Sequence, residues 1–215
     1  MKKKKRINFK KVIIFLVLLL LIGLLIYYIF NLKVNTVFIN GNTILTEQEI
    51  IDYTKIKKND YIYKIVGSDI KSSLLKNDYI SSVSVKYHYN GDIDINIIEH
   101  EVLFTNNNKY ILDDGSFIDM DKTLLGIPEL VSYNEELFDE MIDSFNKVDK
   151  NILHKISEIK YDVNKRFLLY MNDSIEVYVI LNKIENLNKY NEIVNNLNGE
   201  KGILYLDTGN YLEKK

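Results

Sequence analysis

The sequence predicts an α+β protein: a single N-terminal transmembrane helix, then a small β-α-α-β-β unit, then a mainly antiparallel β domain with helices. Three observations predict it. Residues 12–30 are apolar and uncharged behind a basic start. Residues 34–102 carry strand and helix patterns in the order strand, helix, helix, strand, strand. From Leu103 onward period-two apolar segments dominate, with two helical stripes among them.

The helix comes first. Lys2, Lys3, Lys4, Lys5, Arg6, Lys10 and Lys11 precede the apolar run with no acid among them. A helix of about 19 residues rises roughly 28 Å, close to a hydrocarbon core of about 30 Å. Tyr27 and Tyr28 fall near its distal end, where amphipathic rings favour the membrane interface. Only Lys33 follows closely, so the charge excess sets the N-terminus in the cytoplasm and the rest outside. A cleaved signal peptide has a shorter apolar region and small residues at its cleavage site. The segment from Tyr27 to Asn31 offers no such site, so an uncleaved single-pass anchor is expected. The formal net charge of −2 hides two regions. Eight of the 28 basic residues and no acid lie in 1–33, leaving 20 basic against 30 acidic residues beyond. The near-neutral total excludes a globally basic nucleic-acid binder. The absence of Cys excludes disulfides, thiol nucleophiles and Cys-ligated metals.

In the first exported unit, Val34, Val37 and Ile39 form a short apolar strand ended by the turn Asn40-Gly41-Asn42. Thr46 and Glu49 read as a capping box, with Leu45 and Ile50 at the flanking staple positions, so a helix is expected over about 47–54. A second helix is expected over 69–77, with Ile70 and Leu74 one turn apart. Two alternating segments then form a hairpin. A three-residue loop, Asn90-Gly91-Asp92, pairs Tyr89 with Ile93, Tyr87 with Ile95 and Val85 with Ile97, so that apolar residues face each other and Tyr87 and Tyr89 pack in the core.

In the second unit, residues 110–112 and 117–118 flank the turn Asp113-Asp114-Gly115. The sole proline, Pro128, ends or shapes an element. Ser132 and Glu135 read as a second capping box before a helix with Leu137, Met141, Phe145 and Val148 on one face. Strands are expected over 156–161, 166–171 and 175–181, a helix over 183–197, and a last strand over 202–207. Residues 208–215 read as a short flexible tail.

No pattern selects an active site. His100-Glu101 begins like a zinc-protease motif, but Phe104 stands where its second histidine belongs. Asp113, Asp114, Asp119 and Asp121 lack the spacing of an EF-hand loop and read as turn chemistry. No G-x-S-x-G and no phosphate-binding glycine loop occurs. No metal, cofactor or catalytic residue is therefore expected. A membrane-anchored cell-wall hydrolase and a secretion or sensor component remain as alternatives to a binding scaffold.

The whole arrangement resembles the FtsQ/DivIB family of bacterial cell-division proteins. Residues 37–42, Val-Phe-Ile-Asn-Gly-Asn, are similar to the family's V-x-I-x-G-N opening. The hairpin closes as Ile95-Asn96-Ile97-Ile98-Glu99, similar to the end of the family's POTRA domain. Residues 112–117, 127–130 and 203–207 resemble its later motifs in order and spacing. Where the family often has Pro in the hairpin loop, this chain has Asn90-Gly91-Asp92, and its closing segment reads Tyr205-Leu206-Asp207. The resemblance implies a basic cytoplasmic tail (1–11), a transmembrane helix (12–30), a POTRA domain (34–102), a β domain (103–207) and a tail (208–215). It implies a non-enzymatic divisome scaffold at the division septum. Its partners would be FtsL-like and DivIC/FtsB-like membrane proteins, together with the septal peptidoglycan synthase complex. The resemblance also implies partner binding, since POTRA domains in general bind partner segments, often by strand addition. The expected partner-binding strand is Gly202, Ile203, Leu204, Tyr205, Leu206 and Asp207, at or near a sheet edge.

Overall fold

The computed structural model describes residues 9–119, 121–163, 165–197, 199–209 and 211–214. Lys2, Lys3, Lys4, Lys5 and Arg6, which carry most of the charge argument for orientation, lie outside the described residues. The apolar run forms helix α1 (Phe9–Asn31), none of whose residues is buried in the protein. By length and composition it is able to cross a membrane. The chain divides into two compact units, one ending at Glu99 and one beginning at His100.

In the first unit, β1 (Val37–Asn40), α2 (Glu47–Thr54), a 3-10 turn at Ile62–Lys64, α3 (Gly67–Leu74), β2 (Ile80–Tyr87) and β3 (Ile93–Glu99) follow in order. The sheet order is β1-β3-β2, with β1 parallel and β2 antiparallel to β3. The capping box forms as expected: Thr46 accepts from the Glu49 N–H, and Glu49 accepts from the Thr46 N–H at 2.7 Å. Leu45 and Ile50 are both buried, together with Ile70 and Leu74 of α3 and Ile93, Ile95 and Ile97 of β3.

The turn after β1 is organised by Glu99. One carboxylate oxygen accepts from the Thr43 N–H at 2.9 Å, the Thr43 hydroxyl at 2.6 Å and the Ile44 N–H at 2.7 Å. The other accepts from the Leu45 N–H at 2.9 Å. Burial alone would raise the Glu99 pKa, but these hydrogen bonds outweigh it and hold the carboxyl below its ordinary range. Gly41 makes the approach possible. Its φ is +87°, and a Cβ there would lie 2.1 Å from the Ile97 carbonyl oxygen.

The hairpin keeps the expected parity but shifts by two residues. Tyr87 faces Ile93, Val85 faces Ile95 and Val83 faces Ile97. The loop is opened by a tertiary contact: the Gly91 carbonyl accepts from the Asn35 N–H at 2.9 Å, and a Cβ on Gly91 would meet the Lys33 carbonyl oxygen at 2.1 Å. Tyr89 is thereby carried out of the strand and is 86% exposed, not packed in the core. Tyr87 is also exposed, its hydroxyl donating to the Ile65 carbonyl.

The second unit contains β4 (Val102–Asn106), β5 (Lys109–Leu112), β6 (Phe117–Ile118) and β7 (Glu129–Ser132), then α4 (Phe138–Phe145) and α5 (Lys150–Leu153). There follow β8 (Ile156–Tyr161), β9 (Arg166–Met171), β10 (Glu176–Ile180), a 3-10 segment Leu181–Lys189, α6 (Tyr190–Asn195), β11 (Gly202–Tyr205) and β12 (Tyr211–Lys214). Among the described residues the strands form one sheet, β12-β11-β10-β9-β8-β7-β4-β5-β6, with antiparallel pairings in the majority. Its core runs from Phe104 through Phe145 to Phe167, whose rings meet edge to face.

Two local expectations change. Ser132 belongs to β7, where its hydroxyl accepts from the Tyr161 N–H, so it does not cap a helix. Asn134 takes that role by accepting from the Glu136 N–H, ahead of a 3-10 turn at Glu135–Leu137. The 183–197 helix begins earlier and is largely 3-10. Leu181, Ile184, Leu187 and Tyr190 are buried at a spacing of three, the period at which 3-10 side chains eclipse.

Candidate partner-binding site

Residues 202–205 form β11, the inner strand at one end of the large sheet, and Leu206 and Asp207, expected to continue it, lie in the bend that follows. β11 runs parallel to β10 and antiparallel to β12, so it is second from the edge. The tail read as flexible therefore supplies the edge strand itself, through Tyr211–Lys214. Period two sorts the six residues. Leu204 and Leu206 point inward and are fully buried, while Ile203 and Tyr205 lie half-buried on the other face. Gly202 has no room for a side chain, since a Cβ would lie 2.0 Å from the Glu213 carbonyl oxygen. Asp207 is 8% exposed and acts locally: its carboxylate accepts from the Thr208 N–H at 2.8 Å, and its carbonyl accepts from the Lys183 ammonium at 2.6 Å. Asp207 also lies 3.9 Å from the Arg166 guanidinium.

Strand pairing builds an aromatic ladder on the outer face of this end. Tyr178, Tyr205 and Tyr211 sit in one lateral row. Their rings stack at centroid distances of 5.5 and 4.8 Å. Arg166 caps the ladder, its guanidinium 4.4 Å from the centre of the Tyr178 ring. A hydrogen bond to Asp162 pushes the Arg166 pKa further up, so this cation is permanent. The Tyr205 hydroxyl donates to Glu213 at 2.9 Å, which raises the Tyr205 pKa and ties β12 to β11. Lys214 reaches Glu200 at 2.6 Å. The adjacent row reads Glu129, Glu158, Tyr170, Glu176, Ile203, Glu213 across the strands, which makes this face acidic beside the ladder.

Chemically, this end offers two things to a partner. β12 pairs only with β11 among the described residues, so its far side carries the unpaired N–H and C=O groups to which a visiting strand adds. The tyrosines beside it supply rigid amphipathic contact area. Sequence reading missed Arg166, Tyr178 and Glu213 as members of this end. They lie far apart in the chain, and only the parallel pairing of β10 with β11 and the return of β12 bring them together.

A second cluster lies at the start of this unit. His100 Nδ1 is 2.5 Å from Asp113, and its Nε2 is 3.7 Å from Asp114. Asp114 also accepts from the Ser116 N–H and hydroxyl. Burial would raise the Asp114 pKa, but the Ser116 hydrogen bonds and His100 outweigh it and lower it. These three side chains bring one ligand atom each to within 4.8 Å of one another, the spacing a metal ion needs. Their bonds to one another and to Ser116 already account for the arrangement as a braced turn. Asp119 is not part of it.

Comparison with known proteins assigns both units. Residues 32–100 match the family described as POTRA domain, FtsQ-type, and residues 102–208 match that described as cell division protein FtsQ/DivIB, C-terminal. The cell division protein DivIB of Bacillus anthracis is 28% identical, covering 99% of this chain and 86% of its own. That of Listeria monocytogenes is 25% identical, covering 98% of this chain and 84% of its own. The solved extracytoplasmic domain of DivIB from Geobacillus stearothermophilus is 23% identical over 46% of this chain and 95% of its own, with a TM-score of 0.36. With the two family matches lying end to end behind one apolar helix, the chain belongs to the FtsQ/DivIB family of bacterial cell-division proteins.

Proposed function

We propose that this protein is a non-enzymatic scaffold of the division complex. It sits at the septum with its N-terminus in the cytoplasm and residues 34–102 and 103–207 acting outside as separate domains. It binds FtsL-like and DivIC/FtsB-like membrane partners and thereby helps to control septal peptidoglycan synthesis. The observation that carries this reading is the open side of β12, beside the ladder of Tyr178, Tyr205 and Tyr211. A partner strand added there continues the sheet, with β11 (202–205) as the next strand inward from β12. The perturbed carboxyls, Glu99 and Asp114, are each explained by structural hydrogen bonds, which supports a scaffold over a catalyst.

The test is the affinity of the full chain, reconstituted in lipid nanodiscs, for its FtsL-like and DivIC-like partners. Removal of residues 211–215 is expected to weaken binding at least tenfold while the rest of the β domain stays folded. Unchanged affinity would refute the β12 edge as the site. Leu204→Pro is a poorer probe, because Leu204 is fully buried and the substitution would damage the core.

A further inference from the structure

The exported region is acidic overall, yet the end of the first unit beside α1 is basic and aromatic. The chain leaves α1 at Asn31 and enters the fold at once. The Leu32 carbonyl accepts from the Ile62 N–H, the Val34 N–H donates to the Asp60 carbonyl, and Lys33 forms a β-bridge with Tyr61. Phe30, at the end of the apolar run, has its ring centre 4.9 Å from that of Tyr63. On the other side, the Tyr28 hydroxyl donates to the Tyr89 carbonyl at 2.7 Å. Segments 59–64 and 88–91 therefore lie level with the last turn of α1.

That level is where an aromatic belt belongs. Tyr27, Tyr28, Tyr63 and Tyr89 are all exposed there, Tyr89 most of all. Lys33, Lys57, Lys58 and Lys64 are exposed around them, with Asp60 and Asp92 as the nearby acids. Asp60 accepts from the Lys57 N–H, and Asp92 from the side chains of Asn35 and Asn90. Lys33 and Lys64 lie over the Tyr61 ring at 5.2 and 5.5 Å. Between α1 and the fold runs a groove of about 400 Å³, lined by Tyr28, Asn31, Lys33, Asn35, Asn59 and Asn90. Asn31, Asn35 and Asn90 each already donate one N–H, to the Tyr27 carbonyl or to Asp92, so the Lys33 ammonium is the charge in this groove that suits a phosphate oxyanion.

We propose that this end is a lipid-docking rim, which rests on the membrane and takes anionic phospholipid headgroups between the tyrosines and lysines. The inference depends on α1 crossing the membrane. Given that, the rim holds the POTRA domain at a set height and tilt, because the domain is joined to α1 by strand-type hydrogen bonds and not by a free linker. Each exposed lysine near an anionic surface adds attraction that salt screens.

The chain has no tryptophan, so one substitution gives a unique fluorophore. Full-length Tyr63→Trp, Tyr89→Trp and Ile98→Trp proteins are reconstituted into phosphatidylglycerol vesicles with brominated acyl chains. Ile98 is the control. It is 64% exposed and lies about 17 Å along β3 from the rim end of that strand. Quenching is expected to be several-fold stronger at positions 63 and 89 than at 98. It should fall in zwitterionic vesicles and on adding Lys57→Glu with Lys58→Glu. Equal quenching at all three positions would overturn the docking, and equal quenching in both vesicle types would overturn the assignment to anionic headgroups. Flotation with vesicles after an alkaline wash is measured in parallel. Failure there would overturn the membrane anchor, and docking with it.

Discussion

Two regions of this protein use a glycine against a neighbouring backbone, and they do opposite things with it. At Gly41 the missing side chain lets the turn fold back on β3, where the Glu99 carboxylate collects three backbone N–H groups and a hydroxyl. At Gly202 the missing side chain lets β12 lie close on β11, but β12 is four residues long and leaves its far side open. The first region is closed and structural. The second is a strand position held by a few contacts, the kind of low-stability element from which binding sites are drawn. A motif can thus mark the fold, while the proposed binding edge lies where no motif is conspicuous.

The contrast breaks most sharply at Glu99. Glu99→Ala leaves one buried and two part-buried N–H groups without their acceptor, and we expect the first unit to lose about 3 kcal/mol. Amide exchange in 43–45 should rise with it, while the second unit keeps its protection. Gly202→Ala should act more narrowly. A Cβ 2.0 Å from the Glu213 carbonyl oxygen pushes β12 off, so exchange at 211–214 should approach that of free peptide. The core of the second unit should lose only about 1 kcal/mol, because β12 buries little. Acid provides a third test. The folded pKa of Glu99 is lowered, so its contribution is complete above the unfolded value of about 4.3 and is lost as pH falls through the folded value. Unfolding of the first unit should therefore show a stability that declines below about pH 4.3, and Glu99→Gln should flatten that decline. The smallest effect is expected from Tyr205→Phe, which removes the hydroxyl that holds Glu213 and should raise exchange at 211–214 less than threefold.

Much of the closed region was legible in the sequence because its signals are local. The capping box at Thr46 and Glu49, the glycine turn and the alternation of β3 each need only neighbouring residues. The hairpin register was not legible, because Gly91 is drawn to the segment 33–35 and the loop opens by two residues to allow it. The helix over 183–197 was seen, but its 3-10 character lay in a spacing of three that resembles the α-helical stripe over a few residues. Ser132 and Glu135 carry a capping pattern that strand pairing overrides. At the open region, a strand over 202–207 was expected from its alternation and forms over 202–205, but its position depends on β12. A polar tail with Tyr211 and Leu212 becomes a strand only because Tyr205, Gly202 and Glu200 receive it. Such reception is tertiary and leaves little trace in the tail itself.

The proposed partner edge is tested most directly by amide exchange of the full chain in nanodiscs, with and without the FtsL-like and DivIC-like partners. Strand addition to β12 requires new protection at 211–214, strongest at the amides that face away from β11, with the turn at 43–45 unchanged. Binding that leaves 211–214 unprotected, or that protects another surface instead, would contradict it.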